Sequence, residues 1–262
     1  MYIDIHCHLT GDEYAEKGGA DGVIGRANAN GVELIVCSGF DLQSSEQAKE
    51  IADTHENVYF TAGFHPSELD KYKDGDLEKI ETLCRHEKCI AVGEIGLDYH
   101  FADNPAPALQ RKLFIAQMQI AEKLGLPFVI HSRDSAEETY TLLAENVALL
   151  KNGALLHCYS YSAEMAKRFC DLGLYFSFGG PCTFKNAHKV QESVRQIPAS
   201  RILSETDCPY LTPVPFRGEF PNEPKNVVYV AEMLARLKEM PLEEVCKQIR
   251  DNAQTLFYKL KR

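Results

Sequence analysis

An α/β barrel of eight alternating strand–helix units, the TIM or (β/α)8 barrel, is the fold that the sequence predicts. Three observations carry that expectation. Short apolar runs alternate with amphipathic stretches eight times along the chain. Its 262 residues suit one such barrel, and shared among eight units they leave roughly 33 residues each, the size of a βα repeat. The runs are also apolar on both faces, as strands covered by helices must be. A doubly wound open sheet is the structural alternative. Its dinucleotide-binding form wants a glycine fingerprint after the first strand, and Gly11, Gly18 and Gly19 do not supply one. Without a linker, low-complexity tract or internal repeat, residues 1–262 read as a single domain.

The first predicted strand, Tyr2-Ile3-Asp4-Ile5-His6-Cys7-His8, alternates apolar and polar residues. A period of two then sets Asp4, His6 and His8 on one face. A loop over 11–19 and a short helix over 21–30, ended by Gly31, lead to the second strand, 32–37. A helix over 41–54 leads to the third strand, 57–64, which closes on Gly63-Phe64-His65-Pro66. Leu77, Ile80, Leu83 and Cys84 form one stripe of a helix over 73–86. The fourth strand is 90–95, and after a proline-containing turn the longest helical pattern runs over 108–123, capped by Gly125. Strand five (127–131) and its helix (opened by Ser132-Arg133-Asp134 and running to about 147) precede strand six (154–159) and its helix (163–171). Strand seven is 174–178, a helix covers 185–196, and strand eight is 201–205. The segment 209–224 holds five prolines and is the one long irregular loop. Helices over 225–238 and 242–258 finish the chain, the second with a break expected near Asn252.

Apolar residues make up 45% and charged residues 25%, the balance of a folded globular protein, not a disordered one. No basic leader with an apolar run opens the chain, and no apolar stretch of ~18 residues occurs, so we expect a soluble protein with neither signal peptide nor membrane span. The nine cysteines include no CxxC pair and lie mostly in apolar runs, where a free thiol behaves as a small hydrophobe. That predicts a reduced, cytoplasmic protein without disulfides or a structural zinc knuckle. A net charge of -10 argues against a broad basic footprint for duplex nucleic acid. A phosphate substrate stays open, because divalent cations can supply positive charge locally.

In an α/β barrel the active groups sit where the strands end, at the C-terminal face. Reading only those ends gives His6 and His8 on the first strand, His65 on the third, Glu94 on the fourth, His131 on the fifth and His157 on the sixth. The eighth adds Glu205 and Asp207. Their spacings are near one βα unit, so the groups converge on one mouth. His55, His86, His100 and His188 fall in helices, helix ends or loops and are expected outside the site. Neutral imidazole is a strong donor to Zn, Ni, Fe or Mn. His6, His8 and Asp207 can hold one divalent ion and His131 and His157 a second, with the two oxygens of Glu94 bridging. Two dications ~3.5–4 Å apart repel, and an anion between them offsets this. Asp4, one step deeper, is expected to support a ligand histidine, and Glu205 to orient another.

The motifs that carry these residues are Asp4-Ile5-His6-Cys7-His8-Leu9, Gly63-Phe64-His65-Pro66, Val92-Gly93-Glu94-Ile95-Gly96-Leu97-Asp98-Tyr99 and Ile130-His131-Ser132-Arg133. With them go His157-Cys158, Tyr175-Phe176-Ser177-Phe178-Gly179, Glu205-Thr206-Asp207-Cys208-Pro209-Tyr210-Leu211 and Asn222-Glu223-Pro224. Together they span almost the whole chain, which resembles the TatD family of metal-dependent deoxyribonucleases, within the metal-dependent hydrolases built on TIM barrels. The resemblance implies that His6, His8, Glu94 and Asp207 match the ligands of one metal, with Glu94 bridging to a second held by His131 and His157. It matches His65 to a residue near the substrate phosphate. It further implies phosphodiester hydrolysis in DNA, often trimming single strands from the 3′ end. Two divalent ions per subunit would serve, Mg2+ or Mn2+ in activity, with Zn2+, Ni2+ or Fe as structural occupants. One departure is visible: Thr10 stands where the family often has an aspartate after His-Leu.

The expected chemistry is a metal-held water attacking phosphorus, with Asp207 and His65 as the catalytic side chains. Asp207 orients the water; His65 donates a hydrogen bond to the phosphate, or protonates the leaving oxygen if its pKa is near neutral. Arg133, two residues past His131, is a candidate phosphate grip. Tyr99, Tyr159, Tyr161, Phe216 and Phe220 are the candidates to stack on a base. Arg217 and Lys225 offer further phosphate contacts. So few cations favour single-stranded ends or short oligonucleotides as the partner, handled by a monomer with no obligate protein partner. Two rivals remain: hydrolysis of a small-molecule or aminoacyl ester or amide by the same centre, and a non-catalytic, metal-stabilised binding protein.

Overall fold

The computed structural model describes residues 1–260. Eight parallel strands follow one another around a single sheet in sequence order. They are β1 (Tyr2–Cys7), β2 (Val32–Ser38), β3 (Val58–Ala62), β4 (Cys89–Asp98), β5 (Phe128–Arg133), β6 (Ala154–Leu156), β7 (Tyr175–Phe178) and β8 (Ile202–Ser204). The helices are α1 (Gly19–Ala29), α2 (Leu42–Thr54), α3 (Asp76–Cys84), α4 (Pro107–Leu124), α5 (Ala136–Glu145), α6 (Ala163–Asp171), α7 (His188–Gln196), α8 (Val227–Lys238) and α9 (Leu242–Leu256). At the seam between β8 and β1 the Ser204 hydroxyl donates to Ile3 O (2.7 Å). Just beyond, Asp207 N donates to His6 O at 3.0 Å and His8 N to Cys208 O at 2.7 Å. The seam is therefore tied at the end where the histidines lie.

Local chemistry accounts for the element ends. Asp41 caps α2 in a reciprocal capping box with Ser44, which satisfies two otherwise orphaned backbone donors. Pro107 opens α4, and Gly125, at φ 70°, closes it in the left-handed conformation that glycine adopts without a Cβ clash. The strands are buried on both faces, which is why they read as apolar runs and not as alternating ones.

The differences from the sequence expectation are local. β2 runs one residue longer, to Ser38, and β4 starts one residue earlier, at Cys89, and ends three later, at Asp98. β6 stops at Leu156 because the chain leaves the extended region at Cys158, whose φ is 44°. Helix α9 has no break at Asn252. That side chain is buried and donates to Ala199 O and Ile202 O at 2.8 and 2.7 Å, fastening α9 to β8. The expected loop over 11–19 contains a 3-10 turn, Asp12–Lys17. Its buried Tyr14 hydroxyl donates to Asn222 O (2.8 Å), pinning the proline-rich loop from beneath.

Candidate metal centre

Four strand ends and one loop meet at the mouth. His6 Nε2 lies 3.3 Å from His8 Nε2. The same His6 nitrogen is 3.2 Å from Glu94 Oε2 and 3.8 Å from Asp207 Oδ1, while His8 Nε2 is 3.6 and 3.5 Å from those two oxygens. A tetrahedral cation about 2.1 Å from each of four donors would hold them roughly 3.4 Å apart. Four donor atoms at 3.2–3.8 Å therefore frame a position of the right size.

The other oxygen of Glu94 faces a second group. Oε1 is 2.7 Å from His131 Nδ1 and 2.7 Å from His157 Nε2, and these two nitrogens are 3.2 Å apart. One carboxylate thus turns one oxygen to each cluster.

The outer ring nitrogens decide what the inner ones offer. His8 Nδ1 donates to Ser38 O (2.9 Å), His131 Nε2 faces Asp98 Oδ2 (3.2 Å), and His157 Nδ1 faces Glu205 Oε1 (3.6 Å). Ser38 O and Asp98 are acceptors at hydrogen-bond distance, whereas His157 Nδ1 and Glu205 Oε1 are too far apart to bond and each lacks a hydrogen-bond partner among the described residues. With cations in place, the proton of each neutral ring would sit on the outer nitrogen and leave the other lone pair pointing inward. His6 Nδ1 lies 3.0 Å from the Ser38 hydroxyl, which either gives or takes a proton there. Inward lone pairs and two carboxylates of one sign would repel one another without a cation among them. Among the described residues, no lysine or arginine pairs with Glu94, Asp98, Glu205 or Asp207. The donor set therefore fits divalent metal ions.

Burial opposes the charge on Glu94, yet the imidazoles of His157, His65 and His6 hold its carboxyl well below the usual range. His65 has another role. Ser67 N donates to its Nδ1 (3.1 Å), which leaves the proton on Nε2, 3.4 Å from Glu94 Oε1. Burial first, and then His131, push its pKa down to about 3. It is a neutral hydrogen-bond donor at the edge of the second cluster.

Asp4 is fully buried beneath the site, but its carboxylate meets no imidazole. It accepts from Thr206 N (2.9 Å), Thr206 Oγ1 (2.6 Å) and His6 N (3.3 Å). Asp4 thus supports the ligand histidine His6 through its backbone, and braces the residue before Asp207 as well. Asp207 itself has φ 54°, a left-handed conformation that aspartate tolerates better than most residues.

Of the candidate substrate contacts, Arg133 is exposed at the end of β5, its guanidinium 5.1 Å from the Phe101 ring centroid. Tyr99 turns away from the centre: Glu138 neighbours its hydroxyl and, after burial, raises its pKa to about 12. Tyr159 is buried, donates to Ser162 O (2.8 Å) and packs edge-on against Phe176 and Phe178. Tyr161 is held by Ser132 (3.0 Å), and Phe216 packs against Tyr229. Phe220 alone of the five aromatic candidates is exposed. Lys225 is engaged with Glu223 at 3.4 Å. His55, His86 and His100 pair with Asp21, Asp53 and Asp134 outside the centre, and His188 opens α7 on the surface.

Two supporting residues are absent from the sequence reading. Asp98 follows Glu94 on the same face of β4 and holds His131; Ser38 ends β2 and meets both His6 and His8. Counting on from Glu94 in steps of two would have reached Asp98.

The model of the family described as TatD related DNase matches residues 3–258. The uncharacterized metal-dependent hydrolase YabD of Bacillus subtilis is 43% identical over 98% of this chain and 99% of its own length. YcfH of Escherichia coli, another uncharacterized metal-dependent hydrolase, is 36% identical over 98% of this chain and 95% of its own. The crystal structure of the TatD homologue YjjV from E. coli superposes with a TM-score of 0.90 at 29% identity, covering 98% of both chains. Barrel, convergent ligands and relatives agree, and the chain belongs to the TatD-related family of metal-dependent hydrolases.

Proposed function

We propose that this hydrolase cleaves phosphodiester bonds of DNA at single-stranded ends, acting 3′ to 5′ as an exonuclease on a centre that holds two divalent ions, Mg2+ or Mn2+ in activity. The observation that carries this reading is Glu94, one oxygen in each of two ligand sets. A carboxylate so shared suits a pair of cations, and paired cations suit in-line displacement at phosphorus.

His6, His8, Asp207 and Glu94 would hold one ion, and His131, His157 and Glu94 the other. When bound, such ions supply Lewis acidity and offset the charge that builds on the phosphoryl oxygens. Asp207 orients the attacking water; as a ligand its basicity is too low for it to act as a free base. His65, neutral with its proton on Nε2, donates to a phosphate oxygen. Ser38 and Asp98 hold the His8 and His131 imidazoles in the tautomers that the ions need, and Glu205, 3.6 Å from His157 Nδ1, is placed to do the same for the third. Arg133 grips the phosphate of a neighbouring nucleotide from the rim.

All nine cysteines are free, which supports a reducing, cytoplasmic setting. No described helix is long and apolar enough to cross a membrane. We place the protein there as a monomer acting on DNA ends.

The test pairs metal analysis of gently purified protein with digestion of short 3′-labelled DNA by wild type, His131→Ala and Glu94→Gln. Loss of metal together with loss of rate supports the scheme; loss of metal with full nuclease rate refutes it. Faster internal cleavage of blunt duplex than of single strands would overturn the preference for ends. Turnover of aminoacyl or acyl esters without any DNA cleavage would move the assignment to carbonyl chemistry.

A further inference from the structure

The mouth exposes aromatic rings that the barrel has no use for. Tyr210 is 56% exposed and Phe220 60%, and their rings lie 6.0 Å apart, tilted by 37°. Both belong to the proline-rich loop after β8. Tyr210 N donates to Asp207 O (3.2 Å), which closes a turn and brings the Tyr210 Cα within ~7 Å of that of the candidate ligand Asp207.

The loop is held rigidly in this shape. The buried Asn222 amide donates to Tyr210 O (2.8 Å) and Thr206 O (3.3 Å). Leu211, 38% exposed, sits at φ 56°, a left-handed conformation that is strained for a leucine. A Cβ on Gly180 would come within 1.7 Å of Leu211 O, so the loop rests directly on that glycine backbone. Exposing two large rings on a strained, clamped turn beside a ligand is costly unless something covers them.

Across the mouth a third aromatic is exposed. Phe101 follows β4, the strand four places from β8 in the ring of eight, and is 52% exposed under the Arg133 guanidinium. Arg133 and Arg217 have no carboxylate partner among the described residues; each lies over a ring instead, Phe101 and Phe184 respectively. Flat apolar faces with unpaired guanidinium groups beside a phosphate-handling centre complement one kind of molecule: a flexible chain of unstacked bases joined by phosphates.

We infer that Tyr210 and Phe220 form a stacking station for the nucleobase of a nucleotide adjoining the scissile phosphate, and so make an unpaired base a requirement of the substrate. This rests on the nuclease reading above and adds the specificity element to it. Bases stacked inside a duplex present edges and not faces, and the outer face of an end pair is tied to its partner strand, so a base must unpair before it can enter.

The test uses metal-loaded protein and single-stranded DNA that is intact or abasic at either of the two nucleotides flanking the cleaved bond. Wild type should lose about tenfold in kcat/KM with the abasic site at one of the two positions and little at the other. Tyr210→Ala and Phe220→Ala should each erase that dependence, and Phe220→Trp should restore it. Metal content and melting temperature serve as controls, because both rings are mostly solvent-exposed. Wild type indifferent to both abasic sites, or variants that keep the full dependence, would overturn the inference. Failure of the nuclease reading is a separate outcome, in which wild type cleaves no oligonucleotide. The station is then read by binding of a 2-aminopurine oligonucleotide. Quenching that wild type shows and Tyr210→Ala lacks supports it, and absence of quenching in wild type removes it.

Discussion

Asp98 Oδ2 lies 3.2 Å from His131 Nε2, on the side of the ring away from Glu94. That contact puts the imidazole proton outside and the lone pair inside, so a carboxylate that touches no cation would govern how well one binds. Asp98→Ala should lower affinity at the second position about 10–100-fold. Asp98→Asn, which keeps an acceptor oxygen, should cost less. Competition titration with Mn2+ or Zn2+ at fixed pH measures both, and equal affinity in all three proteins would show that the ring is oriented by other means.

Gly96 shapes the same strand pair. Its φ is +146°, and a Cβ there would sit 1.9 Å from His131 O. Since the obstacle is backbone and not a movable side chain, β4 and β5 would have to separate just where Glu94 and His131 meet. Gly96→Ala should therefore cost about 3 kcal/mol or more. A protein of this size should then melt roughly 6–12 °C lower. Thermal unfolding of the two proteins under identical metal loading decides it, and a shift of only 1 or 2 °C would mean that the strands accommodate a methyl group cheaply.

How much of this was legible beforehand depended on which physical rule applied. The ligands were readable because a barrel brings residues far apart in sequence, such as His6 and Asp207, to one face of one sheet. Asp98 and Ser38 were missed because apolar runs stop at Ile95 and Cys37 while the hydrogen-bond ladder runs on to residues with no apolar signature. Tyr99 and Tyr159 looked equivalent to Phe220 as mouth aromatics. Which way a side chain turns at a strand end depends on neighbours such as Glu138 and Phe176, and the sequence does not bring these next to it. Asp4 was placed on the correct strand face, but its partner Thr206 lies two hundred and two residues away, across the seam.

Metal removal should reach the fold as well as the rate. Glu94 and His6 are buried, and without cations their inward acceptors lose their counter-charge. An ion at about 100 times its dissociation constant stabilises the folded state by about 2.7 kcal/mol. Exhaustive chelation should thus lower the melting temperature by roughly 5–10 °C, and Mn2+ should restore it. Identical melting curves with and without chelator would mean that the ligands are as stable empty as filled.

A last prediction concerns pH and lies away from the metal ligands. Glu223, 3% exposed, meets Arg26 at 2.7 Å, Lys17 at 3.3 Å and Lys225 at 3.4 Å, joining the proline-rich loop to α1. Burial raises its pKa, but the cations, Arg26 foremost, outweigh it and leave the carboxyl below its ordinary 4.5. A folded-state pKa below the unfolded value means that the folded protein binds fewer protons. The stabilisation is fully present above pH 4.5 and is lost as pH falls through the lower folded value. Lys17 and Arg26 are more than a third exposed, so solvent screening reduces the effect to about 1–2 kcal/mol at neutral pH. Glu223→Gln should be less stable than wild type by that amount at pH 7, and the gap should close as the pH is lowered toward 3. Urea denaturation across that range reads both curves. A gap that stays constant with pH would assign the cost to packing of the loop and not to charge.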